Sequence, residues 1–357
     1  MTENLFNDVI ESDERIYNKE FILETDVFEE YLVNLKQKFD SFDEKHESEE
    51  DRLMFLMKKK KQAFSKFDKH SKKIYEMVEE FSDQEYQFHK KYYQSKLGIM
   101  ILSCDFFKHI YDKPLGYAGD FRLINFIYDN YDKIRAGTTF NQLLQQYSGQ
   151  MPITLSNVER KTYFKKKVMG YEKSKKKNIK IASIVCGPAR EIIEPIHELM
   201  LKKNYKFHLL DFEPRALDHI LIELKKVNQN LIRNIEVNLI HEDVLAMIRG
   251  KNKEKDFKDF DFIYSLGLFD YLRDKMASRL ISALFSKLAI GGTLIVTNAN
   301  EDTAYHRPYY ELLAEWTFFH RSRDTMLTWL KPIRDEISDV SFEVIPHNGY
   351  HFMVIKK

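Results

Sequence analysis

The chain has 357 residues, enough for a sizeable core and for two domains at about 100–200 residues each. Aliphatic and aromatic residues make up 43%, which excludes a disordered chain. The 56 Lys+Arg against 55 Asp+Glu remove any global electrostatic case for a nucleic-acid partner, though not for a local basic patch. Two cysteines, Cys104 and Cys186, exclude a disulfide framework and a four-thiolate zinc site. The N-terminus has neither the basic nor the apolar region of a signal peptide, and no apolar run approaches the ~18 residues of a membrane span. The expectation is a soluble, cytoplasmic protein.

With only 12 glycines and 8 prolines, long helices are favoured and each glycine cluster is informative. Residues 13–110 hold no proline and a single glycine, Gly98. Apolar residues recur there at helical spacing: Phe28, Tyr31, Leu32, Leu35, Phe39, then Ile74, Met77, Val78, Phe81. The acidic run Asp43–Asp51 and the basic run Lys58–Lys61 read as solvated helix faces, with an RNA or anionic-membrane patch at Lys58–Lys61 as the other reading. Helical periodicity pauses at Lys113–Asp120, where Pro114, Gly116 and Gly119 mark a loop and Asp120 can cap a helix over Phe121–Tyr131. That loop is either an ordinary connection or one that faces a ligand. The lysine-rich stretch 165–178 reads as the end of a connecting helix and a solvated linker, with a nucleic-acid contact as the other reading. It divides a helical N-terminal domain, 1–164, from a second domain, 179–357.

After it, strand and helix alternate. Strands are expected at Ile179–Val185, Lys206–Leu210, Ile235–Ile240, Phe260–Ser265 and Thr293–Thr297. Helices are expected at Arg190–Lys202, Arg215–Asn228, Val244–Arg249 and Leu280–Leu288, the last stopped by Gly291-Gly292. A loop is read at Gly250–Lys258. Ser341–Ile345 and Phe352–Ile355 flank Asn348-Gly349 as a hairpin. The fold class is α/β: a doubly wound, mostly parallel sheet with a terminal antiparallel hairpin, plus the helical N-terminal domain.

In such sheets ligands bind beyond the carboxyl ends of the strands. The first strand ends in Cys186-Gly187-Pro188-Ala189. One glycine there is too few for a dinucleotide fingerprint, and no Gly-Lys-Ser/Thr follows for a phosphate loop. Asp211 ends the second strand, where a carboxylate can accept two ribose hydroxyls. Asp243 follows the third, Ser265–Tyr271 the fourth and Asn298–Asn300 the fifth.

Residues 179–300 resemble a class I S-adenosylmethionine-dependent methyltransferase. CGPARE resembles its glycine motif in a degenerate form, LLDFEP its second motif, HEDV its third and DFIYSLGLFDYL its fourth. More narrowly, KPLGYAGDFRLINFIYD, CGPARE, YSLGLFDYL and EWTFFHRS resemble the bacterial family that makes 3-hydroxypalmitate methyl ester. The resemblance implies an enzyme with S-adenosylmethionine as cofactor. It implies cofactor contacts from Tyr117, Cys186, Gly187, Pro188, Ala189, Glu191, Asp211, Phe212, Asp243, Val244, Ser265, Leu266 and Gly267. Within that set Asp211 is assigned the ribose, Gly187 the methionine moiety, and Asp243 with Val244 the adenine. Tyr117 is expected to face the cofactor from a lid formed by 116–120. Asp243 has helix capping as its other role.

The acceptor is expected to be a small molecule, with a hydroxy fatty acid carboxylate as the leading class. An amine or hydroxyl of a metabolite, peptide or RNA, or a non-catalytic binding role, are the alternatives. Tyr271 and Asn298 are expected to orient the acceptor. Tyr305, Tyr309 and Trp316 read either as core or as walls of an apolar tunnel around it, and His306 is a candidate for contact with it. Arg273 or Arg307 is available to pair a carboxylate, surface charge being the other role of each. No histidine pair has metal-ligand spacing, so no metal is expected. Oligomeric state is not readable.

Overall fold

The computed structural model describes residues 17–46, 48–129, 137–249 and 257–357. The N-terminal segment read for a signal, the end of the helix read at Phe121–Tyr131 and most of the loop Gly250–Lys258 lie outside them. The chain divides into two units: a helical one, Met1–Met151 with Ala304–Thr317, and a sheet-containing one, Pro152–Thr303 with Phe318–Lys357.

The helical unit holds α1 (Lys19–Asp43), α2 (Glu49–Val78), α3 (Asp83–Ile101), α4 (Asp105–Asp112), α5 (Phe121–Tyr128) and α6 (Thr139–Gln150). Their starts are written in the sequence: Asn18, Ser48 and Ser82 each accept a first-turn amide, and Ser82 with Glu85 closes a full capping box. Phe21, Leu32, Phe39, Phe67 and Tyr93 are buried between them. The loop at 113–120 has Lys113 at φ 47° and Gly116 at φ 93°, and Asp120 caps α5 by accepting from the Arg122 and Leu123 amides. Ala304–Thr317 packs in this unit through a π-helix, Pro308–Leu313. The Tyr309 hydroxyl donates to the Phe67 carbonyl at 2.9 Å and Ser71 Oγ donates to the Tyr305 carbonyl at 2.7 Å.

The sheet unit opens with α7 (Pro152–Gly170), followed by a 3-10 turn, Tyr171–Lys173. The stretch 165–178, read as the end of a connecting helix and a linker, is helical up to Gly170. Phe164 and Val168 are buried, and Phe164 stacks on Tyr264 at 4.7 Å. Lys165 meets Glu194 and Glu198 on the outer face, and such outward lysines are what made the stretch read as solvated.

Seven strands follow: β1 (Asn178–Ile184), β2 (Asn204–Asp211), β3 (Ile235–His241), β4 (Phe260–Ser265), β5 (Leu288–Ala299), β6 (Asp339–Glu343) and β7 (Tyr350–Lys356). Their order is β3-β2-β1-β4-β5-β7-β6. The first five are parallel, and β7 runs antiparallel between β5 and β6. Among the helices are α8 (Arg190–His197), α9 (Pro214–Lys225), α10 (Val244–Ile248), α11 (Asp274–Ser286) and α12 (Arg323–Thr328). Leu280, Ile281, Leu284 and Phe285 of α11 pack with Ala182, Ile184, Ile263 and Leu294 in one apolar core.

Three expectations change in detail. α8 stops at His197, short of Lys202, because Leu199 turns left-handed (φ 52°) and the Met200 amide closes back on the Pro195 carbonyl. Gly291-Gly292 lies inside β5 and caps no helix. A side chain at Gly292 would come 2.7 Å from the Phe260 carbonyl, so glycine allows the two strands to meet. The β6–β7 connection spans 344–349, longer than a two-residue Asn-Gly turn. Gly349 lies so close to α7 that a Cβ would stand 2.6 Å from the Pro152 carbonyl.

Candidate functional site

The strand order reverses between β1 and β4, which puts the switch point at the carboxyl ends of β1 and β4, with β2 beside β1. The loop leaving β1 is conformationally costly. Val185, Gly187 and Ala189 all have positive φ, at 54°, 52° and 47°. A β-branched residue in that region is an outlier, and such strain persists only where surrounding structure enforces it. The space over Gly187 is open: a Cβ there would meet nothing within 4 Å.

Asp211 holds this loop. Its Oδ2 accepts from the Gly187 amide at 2.8 Å and its Oδ1 from the Glu213 amide at 3.0 Å. Its main-chain carbonyl accepts from the Glu242 amide at 3.1 Å. One residue thus joins the ends of β1, β2 and β3. Burial raises its carboxyl above the usual range, against the opposing pull of those amides. Beside it Phe212 is 45% exposed, an apolar face at a strand end. Asp243 is exposed and caps α10, accepting from the Leu245 amide at 2.9 Å, while Val244 is buried. His241 bonds the Phe212 carbonyl at 3.0 Å.

Other expected cofactor residues serve the interior. Ser265 is fully buried, and its Oγ donates to the Ile184 carbonyl at 2.8 Å, tying β4 to β1. Glu191 is buried and accepts from the Tyr264 hydroxyl at 2.7 Å; burial raises its carboxyl. Cys186 is buried and its thiol is pushed well up, which makes it a small packed group. Pro188 and Ala189 are buried, while Leu266 and Gly267 are half-buried.

Asn298, expected to orient an acceptor, is fully buried. Its Nδ2 donates to the Phe319 carbonyl at 2.7 Å and its Oδ1 accepts from Arg321 at 2.7 Å, so it fixes the segment after β5. Tyr271 remains 48% exposed, edge-on to Phe318. Arg273 is exposed at the start of α11.

Tyr305, His306, Arg307, Tyr309 and Trp316 come together in the helical unit. Arg307 pairs with Glu79 at 2.6 Å and Glu311 at 2.7 Å, so its charge is already matched. Tyr309 is core, and Trp316 packs on Tyr310. Tyr117 is half-buried in the same unit.

Sequence reading missed a buried charged group in the sheet unit. Arg160 of α7 stacks over Tyr350 at 4.6 Å, and a Cβ at Gly267 would stand 2.9 Å from its guanidinium. Asp270 is buried and accepts from the Ala299 amide at 2.7 Å. Burial lifts its carboxyl to about 7 despite the pull of Arg160, the Ala299 amide and Arg321. Arg321 also reaches the Phe269 carbonyl at 3.1 Å. Among the described residues no group of three or more His, Cys, Asp and Glu is placed to hold a metal ion, and no helix is long and apolar enough to cross a membrane.

No protein-family model and no curated protein matches the chain. Solved structures similar to it share the fold at low identity. A possible exported protein from Bordetella parapertussis aligns with a TM-score of 0.52 at 16% identity, over 67% of this chain and 79% of that one. The S-adenosylmethionine-dependent methyltransferase SibL aligns at 0.44 and 13%, over 76% and 74%. Magnesium protoporphyrin IX methyltransferase from Synechocystis, solved with bound S-adenosylmethionine, aligns at 0.40 and 12%, over 57% and 83%.

Proposed function

We propose that the sheet unit is an S-adenosylmethionine-dependent methyltransferase acting on a small molecule. The observation that carries this reading is the junction of Asp211 with the strained, open loop at Gly187, beside the point where strand order reverses. The residues fit a nucleoside with a non-phosphate tail. Asp211 offers a carboxylate for ribose hydroxyls, Phe212 an apolar face for a flat base, and Gly187 room for a chain to pass against backbone. The cofactor supplies a methyl group on a positive sulfur, already activated for displacement. The chain's residues have to align donor and acceptor and exclude water, and alignment alone accounts for roughly 7–11 kcal/mol in such reactions.

Glu191 and Asp270, the buried carboxylates outside the proposed ribose contact, are committed to internal hydrogen bonds. That favours an acceptor already ionised at neutral pH, such as a carboxylate, over one that needs a base. A hydroxy fatty acid fits this class. Initial rates of transfer from methyl-labelled S-adenosylmethionine, measured from about pH 6 to 9, should be nearly flat for a carboxylate. A steep rise with pH would instead assign an amine or hydroxyl. One observation favours a non-catalytic binding protein: both Asp211 oxygens already hold backbone amides. Absence of saturable S-adenosylmethionine binding would decide for that reading.

A further inference from the structure

The helical unit holds a basic pocket whose lining includes none of the residues proposed above for the cofactor. Helix α2 lines a cavity of about 730 Å³ with Lys60, Lys61, Lys69 and Lys72, against a single lining carboxylate, Asp68. None of the four lysines has an acidic partner at salt-bridge distance among the described residues. Phe64 and Tyr305 supply apolar wall, and Lys72 Nζ lies 5.8 Å from the centre of the Tyr305 ring.

The one acid in the wall is already engaged. Asp68 Oδ1 accepts from the Tyr147 hydroxyl at 2.8 Å and meets His306 Nε2 at 3.2 Å. His306 is 4% exposed and packs against Tyr305 at 4.1 Å. Its Nδ1 is buried and has no hydrogen-bond partner among the described residues.

We infer that this cavity binds an organic anion, a carboxylate or phosphate monoester on a ring-sized apolar body, through residues other than those proposed for the cofactor. The charge requires an anion, the aromatic wall requires an apolar body, and the volume lies in the range of single small-molecule sites. A small anion is favoured over a polyanion because Phe64 and Tyr305 set an apolar wall beside the lysines.

The test is calorimetric titration of the full chain with 2-naphthoate, 1-naphthyl phosphate, uncharged 2-naphthalenemethanol and a short oligouridine, each with S-adenosylmethionine in excess. One or both naphthyl anions should bind about tenfold more tightly than the alcohol, and which one does separates carboxylate from phosphate. The double variant Lys69→Gln, Lys72→Gln should weaken that anion about tenfold with an unchanged melting temperature, since both side chains are exposed. Three results would overturn the inference: equal affinity for the alcohol, an unaffected double variant, or oligouridine binding more tightly than either naphthyl anion. These outcomes do not depend on methyl transfer.

Discussion

At the residue scale, Gly187 and Asp211 separate a binding role from a folding role. Gly187→Ala places a Cβ in open space at φ 52°, a backbone region that other residues enter at about 1–2 kcal/mol. Thermal melting should therefore shift by only a few degrees, while the new methyl group stands where the cofactor chain would pass. Affinity for S-adenosylmethionine should fall by at least about tenfold; a variant that melts like the parent and binds like it removes Gly187 from the site. Asp270 gives a pH prediction. Its carboxyl moves from 3.8 to about 7 on folding, so the folded chain holds that proton more tightly than the unfolded one. Between those values stability falls as pH rises, by at most about 1.4 kcal/mol per pH unit. Melting temperature should drop from pH 5 to pH 7, and Asp270→Asn should flatten the drop. An identical slope in the variant would assign it to other groups.

At the element scale, most of the sheet was legible because buried parallel strands are short apolar runs between breakers, as at Phe260–Ser265. Asp120 was also legible as a cap, since capping is local chemistry. The elements that misled are those whose glycines answer distant contacts. Gly292 faces Phe260 and Gly349 faces Pro152, partners that no local pattern reveals. Gly349→Ala should thus destabilise the sheet unit by roughly 2 kcal/mol or more, because the Pro152 carbonyl and Ser156 Oγ of α7 each lie 2.6 Å from the Cβ position. Gly116→Ala, with nothing within 4 Å, should lose only about 1 kcal/mol from its φ of 93°. Denaturant melts of the two variants test the order, and a larger loss at Gly116 would refute the close-approach account. Arg160 and Arg321 went unread for the same reason: single arginines that reach across the fold leave no spacing signature.

At the scale of the whole molecule, the alternation of strand and helix carried the fold class. The partition of the chain was less legible. Ala304–Thr317 follows β5 in sequence yet packs in the helical unit, burying Tyr309, Tyr310, Leu312 and Leu313 there. A fragment 152–357 strips those side chains of their partners and should aggregate or bind hydrophobic dyes. A soluble, monomeric fragment with the parent's melting temperature would contradict that partition. The central claim, that the crevice at Asp211 and Gly187 is an S-adenosylmethionine site, is tested most directly by calorimetric titration of the cofactor into the full chain and into Asp211→Asn. The account predicts one saturable site in the parent. Loss of the charged acceptor should weaken it by about tenfold to a hundredfold, a charged hydrogen bond being worth about 1.5–3 kcal/mol. No saturable binding by the parent, or equal affinity in a folded Asp211→Asn, would contradict it.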